Sequence, residues 1–306
     1  MPTSSLKGDS PFSPRAQLLT AAEMTRLVHA FTRLGVSKVR LTGGEPLLRP
    51  DIVDIVAALS DVSGLSDLSM TTNGVLLSKL VPELKQAGLA RITVSLDSLD
   101  ADVFAKMSGG RGSPSEVLDG ISAASAAGFM QLKINCVVQK GINDHTVMDL
   151  LEYFRGSNHV VRLIEFLDVG SSNQWRPDRV VSGAEWWRRI HSRWPLKPLP
   201  KLTEGETAER YAYLDGLGEI GLINSITQPF CGACRRVRVT ADGVLYGCLF
   251  SARGTPLRPL LRGDCDKAAL SAFIRNFWCQ RSDRYSETRH LLPEKIHGQE
   301  MYRMGG

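Results

Sequence analysis

Five short apolar runs between residues 36 and 168 each end in polar or glycine-rich residues, and the first four give way to a helical pattern. The runs are 36–41, 65–70, 90–94, 132–139 and 160–168, and helices are predicted over 50–60, 77–87, 115–127 and 145–154. Gly88 and Gly128 stop two of them. Strand–helix units of roughly thirty residues demand parallel strands joined by right-handed crossovers, so the chain is an α/β protein, either a barrel or a doubly wound sheet. In both architectures ligands bind where the strands end. That rim gathers Arg40, Gly43, Gly44, Glu45, Thr71, Asn73, Ser95, Asp97, Lys133, Asn135 and Glu165 as candidates for one site. Each has an ordinary structural explanation as well: a glycine makes a turn, and Ser95 or Asp97 caps the next helix.

Ahead of this repeat, residues 1–19 carry Ser, Pro and Gly without apolar period and are expected to be loop. Thr20 and Glu23 then form a capping box for a helix whose apolar face is Met24, Leu27, Val28, Phe31 and Leu34. The rhythm breaks after residue 169. Residues 170–201 read as a linker with a short helix over 184–193 that covers the barrel, and 209–226 alternate as strands. Beyond residue 250, helices are expected over 256–261 and 267–279, with Cys279 a packed small hydrophobe. This organisation divides the chain into a loop (1–19), an α/β domain (20–169) and a C-terminal domain (170–306).

The densest chemistry lies at 230–250, F-C-G-A-C-R-R-V-R-V-T-A-D-G-V-L-Y-G-C-L-F, where three of the six cysteines sit with three arginines. Cys231 and Cys234 form a C-x-x-C knuckle, and a hairpin turning at Ala241, Asp242 and Gly243 brings Cys248 back to it. Three thiolates leave a tetrahedral metal, or one corner of a four-iron cluster, without a cysteine ligand. Cys265 is a candidate fourth ligand for a structural zinc, so spacing leaves zinc and an iron–sulfur cluster both open. Arg235, Arg236 and Arg238 favour the open corner, because cations beside it make a pocket for an anion such as a phosphate.

Composition narrows the classes. The net charge of +5 comes without a polybasic run, which suits anionic small molecules and gives no nucleic-acid footprint. No stretch reaches the ~18 apolar residues of a membrane span and no signal peptide opens the chain, so a cytoplasmic protein with no membrane partner is expected. Six cysteines in 306 residues are too few for a disulfide scaffold.

Taken together, K-V-R-L-T-G-G-E-P-L-L-R at 38–49, T-T-N-G at 71–74, V-S-L-D at 94–97, K-I-N-C-V-V at 133–138, R-L-I-E-F-L at 162–167, the C-x-x-C with Cys248, and the terminal Gly305-Gly306 resemble the GTP 3',8-cyclases. These are the radical S-adenosylmethionine enzymes that open molybdenum cofactor biosynthesis. The resemblance implies a partial (β/α)6 barrel of the radical SAM type lacking its first strand, with a C-terminal domain carrying an auxiliary [4Fe-4S] cluster on Cys231, Cys234 and Cys248. It implies that GTP is held by Arg40, Thr71, Lys133, Arg236, Val237 and Arg238, with its purine on the open iron. S-adenosylmethionine would contact Gly44, Ser95 and Leu167, the last standing where the family often has methionine. The Gly-Gly end would reach into the site, and the protein would be a homodimer served by an unidentified reductant.

One family motif is absent. The cluster that cleaves S-adenosylmethionine sits in the family on a C-x-x-x-C-x-x-C loop, and the first cysteine here is Cys136. Family members commonly read Cys-Met-Pro at the third of those cysteines, and this sequence opens Met1-Pro2. The expectation is a chain that begins just after that loop, keeps the GTP-side cluster and does not itself generate the radical. Alternatives are a relative that binds GTP without catalysis, and a radical enzyme acting on peptides. The small cysteine set argues against the last.

Overall fold

The computed structural model describes residues 14–170, 172–289 and 298–305. Residues 1–13, and with them most of the expected N-terminal loop and Met1-Pro2, lie outside the described residues, as does Gly306.

The repeat is realised as five parallel strands, β1 (Lys38–Leu41), β2 (Asp67–Thr72), β3 (Arg91–Ser95), β4 (Lys133–Val138) and β5 (Val160–Glu165), paired in chain order. Helices α2 (Ile52–Ser60), α3 (Leu77–Gln86), α5 (Pro114–Ala126) and α6 (Val147–Phe154) supply the crossovers. A helix absent from the sequence reading, α4 (Ala101–Ser108), follows β3; Asp100 caps it by accepting from the Val103 N–H. Its eight residues are short for an amphipathic pattern to declare itself.

The sheet continues past residue 169. Three strands join it: β8 (Glu219–Ile223) pairs in parallel with β5, and β7 (Glu209–Tyr213) and β6 (Leu196–Leu199) extend it antiparallel, β8 and β7 within the expected 209–226 and β6 within the stretch read as linker. The eight-stranded order is β1-β2-β3-β4-β5-β8-β7-β6, so six strands run parallel. Between β5 and β6, α7 (Gly183–Arg193) packs on β5 and β8 through Trp186 and Ile190, as a helix covering the barrel would.

One face of this sheet is apolar and helix-covered. Ile55, Val56, Leu59, Met70, Val94, Ile134, Cys136, Leu163 and Leu222 belong to one continuous core. Each large aliphatic side chain buried there stabilises the fold by ~1.5–3 kcal/mol.

A second core fixes the C-terminal region against the N-terminal helix. In α1 (Ala21–Thr32) the Thr20–Glu23 capping box forms as expected, worth ~1 kcal/mol. Leu27 and Phe31 of α1 pack with Leu19, Leu245, Leu257, Leu261, Leu270 and Ile274. The last two lie on α9 (Lys267–Cys279) and Leu261 on α8 (Arg258–Arg262). Residues 14–19 are therefore not free loop: Arg15–Gln17 is a 3-10 turn, and Leu19 is buried with its N–H on the Ala241 carbonyl.

The cysteine hairpin forms as β9 (Arg238–Val239) and β10 (Val244–Tyr246), and Thr255–Pro256 adds β11 instead of opening a helix. Cys279 is exposed and not packed, because it falls at the C-terminal end of α9, off the face held by Leu270 and Ile274.

Candidate functional site

The inner face of the sheet is polar. Parallel register places Arg40 beside Ser69, Ser69 beside Arg91, Thr71 beside Thr93, Thr93 beside Lys133, Ser95 beside Asn135 and Asn135 beside Arg162. Paired positions share a face and side chains alternate along each strand, so these residues line one surface while Val39, Met70, Ile92, Ile134 and Leu163 point to the helices.

Cations crowd this lumen: Arg91 is paired with Asp67, but among the described residues no ion pair matches Arg40, Lys133 or Arg162. Lys133 is pulled down to about 8, by loss of water and then by Arg162, Arg91 and Arg40. Arg162, 8% exposed, is pulled down to about 9 by burial and then by Arg40 and Arg91. It is oriented by Asn135, whose Oδ1 accepts from Nε at 2.9 Å and Nη2 at 2.6 Å. Arg40 keeps exposed surface at the sheet edge, yet enough protein surrounds its guanidinium to lower it by desolvation, with Arg91 and Arg236 adding repulsion. Uncompensated buried cations cost several kcal/mol each, a cost that a bound polyanion removes. Thr71 Oγ1 is buried beside them with no hydrogen-bond partner among the described residues. Arg162 is the member that sequence reasoning missed; the alternating polar positions of V-V-R-L-I-E were the available signal.

The cysteine hairpin adjoins the same lumen. Arg238 is pulled down to about 10 by burial and by Arg236, and it lies within electrostatic reach of Cys248, Cys234 and Arg40 at once. Arg236 is exposed, with its guanidinium 5.3 Å from the Phe230 ring. Val237, alternating between the two arginines, packs into the second core, so only its backbone is left for a ligand. Arg235 is spent elsewhere, in an exposed ion pair with Glu204. The tail reaches the hairpin: Arg238 Nη1 donates to the carbonyls of Met304 and Gly305, and a Cβ at Gly305, φ +73°, would run into Thr42 at the end of β1.

Cys231, Cys234 and Cys248 are half-buried, and both knuckle sulfurs act electrostatically on Cys248. A 3-10 turn over Cys231–Ala233 closes the knuckle through the Cys234 N–H on the Cys231 carbonyl, 3.1 Å. Burial raises the Cys234 thiol, but hydrogen bonds from Arg281 and the Arg236 backbone, with both positive charges, bring it below the usual cysteine value. Such an environment favours the thiolate that metals bind. Among the described residues no three His, Cys, Asp or Glu side chains converge as on one ion. Cys265 packs against the second core beside Arg26 of α1.

Of the rim candidates, four are structural. Glu45 accepts from Thr72 Oγ1 at 2.7 Å, the Asn73 N–H at 2.7 Å and the Leu47 N–H at 3.0 Å, tying the Gly-Gly-Glu loop to the loop after β2. Asn73 Oδ1 accepts from the Val75 N–H in a local turn. Glu165 accepts from the N–H groups of Gly183, Ile226 and Thr227. Asp97 accepts from the Val137 N–H at 2.8 Å, and burial raises its carboxyl to about 6. Gly43, φ +130°, adopts a backbone that side chains resist, and leaves Gly44 exposed in the loop after β1. Ser95 ends β3, and Leu167 follows β5 with its carbonyl held by Asn173 Nδ2 at 2.7 Å. A cleft of about 500 Å³ lies at the opposite, N-terminal ends of β4 and β5, lined by residues such as His159 and Tyr213; none of the candidates lines it.

Comparison with known proteins agrees with this architecture. Residues 3–154 match the family model of the Radical SAM superfamily, and residues 159–287 match Molybdenum Cofactor Synthesis C. A Streptococcus suis SuiB structure bound to S-adenosylmethionine superposes with a TM-score of 0.61 at 13% identity, over 97% of this chain and 72% of that one. The anSMEcpe structure with bound AdoMet gives 0.54 at 12% identity, over 93% and 85%. These likenesses concern the fold, which is that of a radical SAM protein with a molybdenum cofactor synthesis domain behind it. A GTP 3',8-cyclase of Xanthomonas axonopodis pv. citri (strain 306) is 49% identical over 306 residues, all of this chain and 91% of that protein. Another, from Acidothermus cellulolyticus, is 48% identical over 92% of this chain and 78% of its own length. The chain belongs to the GTP 3',8-cyclase family.

Proposed function

We propose that this protein serves the radical S-adenosylmethionine-dependent cyclisation of GTP to 3',8-cyclo-7,8-dihydro-GTP in molybdenum cofactor biosynthesis. The observation that carries the reading is the position of Arg238, in electrostatic reach of two hairpin cysteines on one side and of Arg40 on the other. That contiguity suits a nucleotide whose base meets the cysteine-held group while its phosphates meet the cations. Arg40, Lys133, Arg236 and Arg238 take the triphosphate, joined by Arg162; Thr71 Oγ1 and the Val237 backbone complete the GTP contacts.

Cys231, Cys234 and Cys248 hold an auxiliary [4Fe-4S] cluster. The residues fit it: the three thiols are half-buried, both knuckle sulfurs act electrostatically on Cys248, and Cys234 is held toward its thiolate form. With three cysteine ligands such a cluster supplies one iron able to bind substrate. Gly44, Ser95 and Leu167 contact S-adenosylmethionine around the loops after β1, β3 and β5. A lumen closed over the nucleotide excludes water that would quench a radical.

Residues 1–306 contain no C-x-x-x-C-x-x-C. On this reading these residues by themselves bind GTP and the auxiliary cluster but do not cleave S-adenosylmethionine. The test is anaerobic assay of 5'-deoxyadenosine from this chain and from the same chain extended through upstream in-frame codons. Product from the extended chain alone supports the proposal. Product from neither, with GTP still bound, favours a GTP-binding relative without catalysis, and absence of GTP binding to either overturns the assignment.

A further inference from the structure

Arg281 lies 47 positions from Cys234, beyond the end of α9, and its surroundings single it out. Its side chain is 9% exposed. Nη1 donates to the Cys234 carbonyl at 2.9 Å, while the buried Nε has no hydrogen-bond partner among the described residues. Asp283 Oδ2 stands 3.9 Å from that Nε, an ion pair beyond hydrogen-bond range, while its Oδ1 accepts from Ser251 Oγ at 2.9 Å. The other side of the guanidinium is covered by the Trp278 ring, 4.9 Å away.

The Arg281 stem also touches the returning strand. A Cβ at Gly247 would stand 3.4 Å from Arg281 Cγ and Cδ, and would run into Asp283 Oδ2. A side chain before Cys248 would therefore displace the Asp283 carboxylate and rest on the Arg281 stem. Arg281 thus bridges both arms of the hairpin, touching Cys234 on one and Gly247 on the other.

A buried guanidinium carrying an unused donor is costly unless something anionic completes it. The sulfur-rich group proposed on Cys231, Cys234 and Cys248 is such an anion, and donors aimed at cluster sulfurs are among the levers that set reduction potential. We propose that Arg281 is a positioning residue for the cysteine-held cluster: it locks the Cys234 knuckle to the Cys248 strand and, by its charge, makes the cluster easier to reduce. This inference rests on the three-cysteine assignment made above.

The test uses the full chain, reconstituted anaerobically with iron and sulfide, as wild type, Arg281→Met and Arg281→Lys. Iron per chain, the electron paramagnetic resonance signal of the reduced cluster and its potentiometric titration are read. Both variants should bind as much iron as wild type. In Arg281→Met the reduced-to-oxidised ratio at fixed potential should fall at least tenfold, ~59 mV for one electron. Arg281→Lys should recover most of that shift. Where Arg281→Met fails to fold by circular dichroism, Arg281→Gln takes its place with the same tenfold drop expected. A neutral variant within twofold of wild type overturns the role of Arg281 and leaves the cluster assignment standing. Wild-type iron uptake that is nil, or unchanged in Cys231→Ala and Cys234→Ala, overturns the cluster assignment and the role of Arg281 with it.

Discussion

Arg238 Nη1 donates to the carbonyl oxygens of Met304 at 3.1 Å and Gly305 at 2.7 Å, fastening the end of the chain to the arginine that also faces the hairpin cysteines. The tail therefore sits on the boundary between the proposed cluster and the cationic lumen, and perturbing it should affect ligand binding more than folding. Gly305→Ala meets two obstacles, a φ of +73° and the Thr42 side chain. We expect at least a tenfold loss of GTP affinity with a melting temperature within ~2 °C of wild type. A variant with wild-type GTP affinity would show that the tail contact is incidental.

Lys133 makes nucleotide affinity depend on pH. Its ammonium, held down to about 8 by burial and neighbouring cations, is drawn back to the charged form by a triphosphate. Affinity should be flat below about pH 7 and fall above about 8, with a proton taken up on binding in that range. Calorimetry at about pH 8.5 in two buffers of different ionisation enthalpy measures the uptake, which Lys133→Met should abolish while weakening binding ~10–100-fold.

Glu165 joins the end of β5 to the N-terminus of α7 and to the turn after β8. Glu165→Ala takes the acceptor from three backbone donors, of which the Gly183 N–H is buried. Unfolding in urea should show a loss of ~3–5 kcal/mol with little change in slope. A loss under ~1 kcal/mol would mean that water replaces the carboxylate.

His159 accepts from the Leu132 N–H through Nδ1 and sits 3.1 Å from Ser125 Oγ through Nε2. Burial lowers it below its usual 6.5. The unfolded chain then takes up the proton first, so this residue contributes no pH dependence well above 6.5, and stability falls as pH drops from there through the folded-state value. The difference in unfolding free energy between wild type and His159→Gln, followed from about pH 8 to 5, should grow unfavourable to wild type only below about 6.5. A difference independent of pH would remove the titration from the account.

Cys234→Ala should abolish cluster binding and loosen the hairpin, since ligation and local folding are coupled. Iron analysis and limited proteolysis at residues 230–250 check this. Unchanged iron content would place the cluster on other ligands.

The sequence alone determined what is local. Period and stop signals placed five strands and the four helices between them, Thr20 and Glu23 announced the first helix, and the turn at Ala241, Asp242 and Gly243 returned Cys248 toward its knuckle. Each depends on residues a few positions apart, so short-range sterics and hydrogen bonding suffice to specify it.

Tertiary structure decided the partners. E-I-G-L-I reads as a strand in any context, but only packing chose β5 as its neighbour and so continued the parallel sheet past residue 169. Alternation in V-V-R-L-I-E defines two faces without saying which one helices cover, and on that choice Arg162 became a lumen cation. Glu45 and Glu165 looked like ligands because carboxylates at strand ends often are; distant backbone donors claimed them instead. Cys279 and Arg281 stand two residues apart, one in solvent and the other against a cysteine 47 positions earlier. Where the closing of a long loop selects the contact, no window of neighbouring residues encodes it, and the assembled cores choose.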